Sequence, residues 1–356
     1  MKKNLLKESK NGPAAQEYQD KISLLQSDVR KSNRRVQELV RQVAHATEWE
    51  KRIQGHLAVL PVPRKISYPK PKLTHQASTA ILNLSDWHAE ESVDPKEMEG
   101  FAEFNWDILL ARVWLTGQKT LELINIMRQS SPIDDLIINV LGDMVNGEIH
   151  DELKDTNQFD LAVAVPNVGW VLAQLVQALA PHLKSVKLYC VCGNHGRQDL
   201  KPRCKKRAQR NWDTAVYKIA QMLTRNDKSI HWNISPSPAC WYRVPGSRIL
   251  IKHGDDVRMA GIKPFYGIAR DTAKEHSKRR GRRDFDTVFQ GHLHSWDKVE
   301  ERILCPALVG TNEYAFSRLH AFNGPAQLLT FVNKKHGVTC QWPIYLDNAK
   351  KHGFME

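Results

Sequence analysis

Two hydrophobic periodicities divide the chain. From Ile22 the positions Ile22, Leu25, Val29, Ser32, Val36, Leu39, Val43 and Ala46 step alternately by three and four, with Gln, Asp, Lys, Arg and Glu between them. This is the a/d seam of a coiled coil, interrupted at one core position by Ser32. It predicts a helix over residues 16–57, preceded by a disordered polar tail at 1–15. The helix either joins a second copy, giving a homo-oligomer, or folds back on the rest of its own chain. Pro61, Pro63, Pro69 and Pro71 then favour extended backbone, so residues 58–77 read as a linker.

Beyond Ser78 the period shortens. Apolar runs of strand length lie at Ala80–Leu84, Leu136–Leu141, Val186–Val191, Arg248–Ile251 and Phe285–Phe289, and helical stretches at Trp106–Met127 and Leu161–Leu179 separate the first three. The β-α-β alternation predicts an α/β domain over 78–350, a mixed β-sandwich flanked by helices. Ile303–Val309, Gln327–Val332 and Val338–Tyr345 read as a terminal meander, with Asn333–Gly337 as one turn.

Composition narrows the class. The chain has 356 residues, 41% of them hydrophobic, enough for one large catalytic domain and an appendage. A mean hydropathy of -0.49 and the lack of an evident long apolar stretch weigh against a membrane partner. No apolar segment follows the Met-Lys-Lys start, so the expectation is a cytoplasmic protein. The six cysteines form no CxxC pair and read as reduced thiols, although Cys190 and Cys192 alternate just before Gly193 and could offer soft ligands.

The net charge of +13 is unevenly placed: residues 1–76 carry 16 Lys/Arg against 7 Asp/Glu, and Arg197–Arg210 and Lys274–Arg283 are two further basic windows. The remainder is acidic. An acidic core with basic attachments suits a polyanionic substrate; solvated loops are the competing explanation.

The chemistry sits at strand ends. Asp86-Trp87-His88, Gly142-Asp143, Gly193-Asn194-His195, His253-Gly254 and Gly291-His292-Leu293-His294 each follow an apolar run. Sheets fix the backbone there while the loops let side chains converge. A single Asp-x-His or His-x-His is weak evidence, but five clusters in one order form an N/O donor set suited to Mn, Fe or Zn. The order resembles the calcineurin-like metallophosphoesterase superfamily over residues 78–310.

That resemblance implies the superfamily's four-layer sandwich and two divalent cations, Mn favoured over Fe, Zn or Mg. It implies that Asp86, His88, Asp143 and His294 hold one cation, that Asp143, Asn194, His253 and His292 hold the other, and that His195 serves the leaving oxygen. Two positions depart from relatives. Gly196-Arg197 follows Gly-Asn-His where many have an acidic residue, and Asn146 stands where phosphoprotein phosphatases have an Asp. An amide can orient an imidazole without supplying charge, so His195 is expected to be neutral at pH 7.

The substrate reading rests on charge. Arg197, two residues from His195, is placed for a phosphate clamp, and Lys205, Lys206, Arg207, Arg279, Arg280, Arg282 and Arg283 for nucleic-acid backbone. Trp87, Trp212, Trp232 and Trp241 read as core residues rather than base-stacking platforms. The expected function is a phosphodiesterase on nucleic acid, DNA favoured. The alternatives are a phosphatase or small-nucleotide phosphodiesterase, and a nucleic-acid-binding scaffold with vestigial catalysis.

Overall fold

In a computed structural model the described residues are 13–59, 77–257, 265–320, 322–350 and 352–354. Most of the expected tail and linker lies outside them. The chain divides into two units, Met1–Lys70 and Pro71–Glu356. In the first, Pro13–Val59 forms a helix, α1, and the expected seam residues Ile22, Leu25, Val29, Val36, Leu39 and Val43 are all exposed.

In the second unit, β1 (Ser78–Leu84), β2 (Asp135–Val140), β3 (Ser185–Cys190) and β4 (Ile230–Ile234) lie side by side and parallel. Parallel neighbours need crossovers, which α2 (Trp106–Arg128), α4 (Leu161–Leu179) and α5 (Trp212–Leu223) supply. Asn105, Asp160 and Asn211 cap these helices through side-chain oxygens. A short α3 (Asp151–Thr156) precedes α4. β10 (Ala326–Asn333) and β11 (Gly337–Tyr345) extend the β1 edge antiparallel.

A second sheet has the order β5 (Ala239–Val244), β6 (Ser247–Lys252), β7 (Thr287–Gln290), β9 (Arg302–Leu304) and β8 (Asp297–Val299). The 303–345 meander is therefore not found: β9 belongs to this sheet, while β10 and β11 belong to the first. Gly310, at φ 79°, lies in the connection between them. Hydrophobic pattern alone cannot assign such segments, because strands in both sheets are buried. The helix α6 (Phe265–Arg279) and the short α7 (Glu313–Ser317) complete the unit.

The strand alternation sorts the core. Ala80, Leu82, Leu136 and Ile138 face the helices, whereas Ile81, Ile137, Leu328 and Val332 pack on Tyr242, Ile249, Ile251 and Phe289 of the second sheet. Between the sheets Tyr242 Oη donates to Asn139 (2.9 Å), whose amide donates to Asn83 (2.8 Å), whose amide donates to the Leu328 carbonyl (3.1 Å). Such a satisfied buried chain fixes sheet register. Among the described residues, Leu161–His182 is long and apolar enough to cross a membrane, contrary to the expectation that the chain has no such stretch; half of its apolar window is buried in the fold. Trp87 is wholly buried, as expected of a core residue.

Candidate metal centre

The parallel strands β1, β2 and β3 end on one edge of the first sheet, and β6 and β7 run parallel in the second. Every ligand cluster anticipated from the sequence follows one of these C-terminal ends. The first two loops run together: the amides of Asp86, His88 and Ala89 donate to the carbonyls of Gly142, Asp143 and Met144 at 3.0–3.2 Å. Ser85, just upstream, is held by Gln327, whose Oε1 accepts from the Ser85 amide at 2.9 Å.

Two donor sets result, Asp86 with His88 and His294, and Asp143 with His253 and His292. His294 Nε2 is 3.4 Å from Asp86 Oδ1 and His253 Nε2 is 2.9 Å from Asp143 Oδ2. Asn194 Oδ1 joins the second set, 3.0 Å from His253 Nε2. These are the residues anticipated from the sequence. They fit divalent cations by donor chemistry and by one orphan: His88 Nε2 is buried without a hydrogen-bond partner, while its Nδ1 donates to Asn146 Oδ1 at 2.9 Å. His253 is oriented likewise, its Nδ1 donating to the Leu141 carbonyl at 2.8 Å.

Backbone conformation at the ligands is unusual. Asp86, His88, Asp143, His292 and His294 have φ of 52°, 43°, 52°, 69° and 53°, a left-handed region that costs a non-glycine residue about 1–2 kcal/mol. Strain of this kind gathers where geometry serves function. The motif glycines have a separate reason. A Cβ on Gly193 would collide with the Asp143 carboxylate, and one on Gly291 with Ser85 and Asp86.

Charge in the cluster is strongly coupled. Burial would raise the Asp86 and Asp143 carboxyls, but the facing imidazoles outweigh it and hold both below the usual carboxylate range. Burial also opposes the His253 imidazolium, yet Asp143 lifts it to about 10. His88 and His292 fall to about 3 and about 4, through burial first and neighbouring imidazoles second. A divalent cation requires neutral imidazoles beside ionised carboxylates; His88 and His292 are shifted toward that form, whereas Asp143 and Asp86 shift His253 and His294 toward the protonated form that a cation must displace.

His195 sits beside the first set, its ring 4.6 Å from that of His88 and its amide donating to Asp143 Oδ1 at 2.7 Å. Burial lowers its pKa, in keeping with the neutral form expected. Asn146 acts differently from expectation. Its side chain orients His88, and its backbone carbonyl accepts from His195 Nδ1 at 2.8 Å.

One residue of the site carried no motif. Asp213, fully buried in the first turn of α5, accepts from the amides of Asp143 and Met144 at 3.0 Å and of Gly193 at 2.8 Å. It ties together the loops carrying Asp143 and Asn194. The Asn211-Trp212-Asp213 spacing signals a capped helix start but not this role. A further group, Asp256, Asp271 and Glu275, surrounds Lys252 Nζ at 2.8, 2.9 and 3.5 Å and already has its cation.

The basic residues divide. Lys205, Lys206 and Arg207 lie in the loop after His195; the lysines are exposed and Arg207 pairs with Asp255 at 2.6 Å. Arg197 is not free as a clamp. It donates to the carbonyls of Asp199, Leu200 and Asn194 at 3.0, 3.2 and 3.4 Å and so braces its own loop. Arg279, paired with Glu275, ends α6, and Arg280, Arg282 and Arg283 lead into β7. Arg280, Arg282 and Arg283 precede the strand whose far end carries His292, while Arg279 is taken up by Glu275, which also holds Lys252.

No protein-family profile and no curated protein matches the chain. Solved structures do. The chain is similar to an archaeal phosphodiesterase, 10% identical, covering 74% of this chain and 99% of that one at a TM-score of 0.32. It is similar to the zinc complex of Vps29 from Entamoeba histolytica, 12% identical over 74% and 99% at 0.31. A third is a predicted phosphoesterase from Streptococcus pneumoniae, 10% identical over 75% and 98% at 0.29. At these values the chemistry of this chain rests on its own residues. Their placement at five strand ends of a helix-flanked two-sheet sandwich is the arrangement that the sequence resemblance implied.

Proposed function

We propose that the protein is a dinuclear metal-dependent phosphodiesterase acting on nucleic acid, DNA favoured, with Asp143 shared between the two cations. The observation that carries this reading is the pair of adjoining Asp/His sets with the unpartnered His88 Nε2. When bound, the cations would supply charge that stabilises the phosphoryl oxygens and acidifies the attacking water. The chain's own part is to hold the ligands in register through Asp213, Asn146 and Leu141, and to present His195 Nε2 while its Nδ1 is fixed on the Asn146 carbonyl. A neutral imidazole there accepts a hydrogen bond or relays a proton toward the leaving oxygen; it is not a pre-charged acid at pH 7.

The test uses bis(p-nitrophenyl) phosphate, p-nitrophenyl phosphate, single-stranded and duplex DNA, and RNA, each with Mn, Mg, Zn or EDTA. Diester hydrolysis that needs metal and exceeds monoester hydrolysis supports the reading. Asp143→Asn should lower bound metal by mass spectrometry and abolish turnover. Two equivalents of metal retained with full activity would remove Asp143 from the centre.

A further inference from the structure

Beyond Asn194 the segment 197–210 folds into a closed loop. Its neck is pinned where the Gln198 amide meets the Arg210 carbonyl at 3.2 Å and the Trp212 amide meets the Gly196 carbonyl at 2.6 Å. The loop borders a narrow cleft, with Lys201 and Arg203 exposed at its rim, that shares Asn194 with the metal centre and is lined by five cations and two carboxylates. Asp199 gathers two of the cations, with Arg203 Nε at 2.8 Å and Arg210 Nε at 3.1 Å. Asp255, two residues after His253, holds Arg207. Lys201, on the exposed rim, has no ion pair among the described residues.

This arrangement leaves donors free for an anion. Guanidinium groups drawn together on one carboxylate repel each other, and each carries five N–H donors of which Asp199 takes few. A phosphate relieves the repulsion and uses the spare donors in the geometry that arginine matches best. The scissile phosphate belongs to the Asp/His sets, so the cleft faces whatever lies next to it.

We propose that this cleft is a second-phosphate subsite, taking the phosphate adjacent to the scissile one along a nucleic-acid strand, with Lys201 and Arg203 as the residues that contact it. The inference rests on the phosphodiesterase reading and makes a finer claim: the enzyme discriminates by the number of phosphates near the scissile bond.

The test compares TpT with pTpT and TpTp, which differ only by a phosphate, and with TppT, whose second phosphorus is in a pyrophosphate link. The added terminal phosphate should raise kcat/KM by about tenfold or more at low salt, the equivalent of about 1.4 kcal/mol. In Lys201→Ala/Arg203→Ala, both at exposed positions, the ratio of pTpT or TpTp to TpT should fall toward one. Arg203→Lys alone, which keeps charge but loses the fork, should fall between. A ratio near one in the native protein, or one that survives the double substitution, overturns the subsite. Preference for TppT over both phosphorylated dinucleotides overturns its assignment to a strand neighbour. If no dinucleotide is hydrolysed with any metal, the phosphodiesterase reading fails instead. The subsite is then read by titrating thymidine 3′,5′-bisphosphate into EDTA-treated protein, where equal affinity of native and double-substituted chains overturns it and a loss of about tenfold upholds it.

Discussion

Asp213 shows how much of a metal centre lies outside its ligands. Its carboxylate is the acceptor for three buried amides, and leaving such donors unsatisfied costs about 1–3 kcal/mol each. Asp213→Ala should therefore lower the melting temperature markedly. Asp213→Asn keeps one acceptor and should fold, yet it should weaken metal binding by about 10–100-fold, as loss of outer supports of ligands typically does. Calorimetric metal titration alongside far-UV circular dichroism separates the two effects; unchanged affinity in a folded Asn variant would reduce Asp213 to a structural role. His195→Ala should spare metal content and slow turnover by about 10²–10⁴, most on substrates with poor leaving groups. An equal loss on good and poor leaving groups would point to positioning instead.

The His253–Asp143 pair adds a pH prediction. His253 is raised from its ordinary 6.5 to about 10, so its share of stability is fully present below pH 6.5 and lost as pH rises through about 10. Asp143 is lowered, so its share is present above the ordinary carboxylate value and lost as pH falls through its depressed one. Near pH 7 the apo pair is fully charged, and a cation entering must displace the His253 proton. Calorimetric heats of metal binding should therefore vary with buffer ionisation enthalpy, with a slope of at least one proton released. A slope of zero would show His253 to be neutral before metal arrives.

At the scale of elements, α1 was legible because a heptad pattern needs only local periodicity, and Pro13–Val59 is helical as expected. What its exposed seam meets is a separate matter. Its pairing with a second copy is the proposal favoured by the a/d spacing, weakened at Ser32. Deleting residues 1–60 should leave metal content unchanged, since every ligand lies at Asp86 or beyond, and lower the mass measured by light scattering. An unchanged mass would exclude α1 from assembly. The parallel strands β1, β2 and β3 and the crossover helices α2 and α4 were equally legible, because their residues are mostly apolar. β4, β5, α5 and α6 were not. β4 and β5 carry alternating half-buried positions, and only part of α5 and α6 is apolar enough to announce itself.

For the whole molecule, the two basic windows that look equivalent in the sequence occupy different places. Lys205 and Lys206 follow the metal-bearing loop of β3, whereas Arg280, Arg282 and Arg283 precede β7, about 13 Å of strand before its ligand end. Neutralising the lysines should weaken binding of short and long oligonucleotides alike, flattening the salt slope by about 0.7–0.9 for each phosphate no longer neutralised. Neutralising the three arginines should affect only oligonucleotides long enough to leave the cleft. Equal effects of both sets on a short oligonucleotide would contradict this placement.

The identity and order of the candidate ligands were legible in the sequence alone, because coordination demands particular side chains and the tight loops demand glycine where a carboxylate packs on the chain. The tertiary structure decided what joins them. Asp213 lies 70 residues from Asp143 and 20 from Gly193, Asn146 serves a histidine 58 residues away, and β9 and β10 part company between two sheets. Those contacts depend on which segments the fold brings together, and a local pattern of side chains holds no record of that.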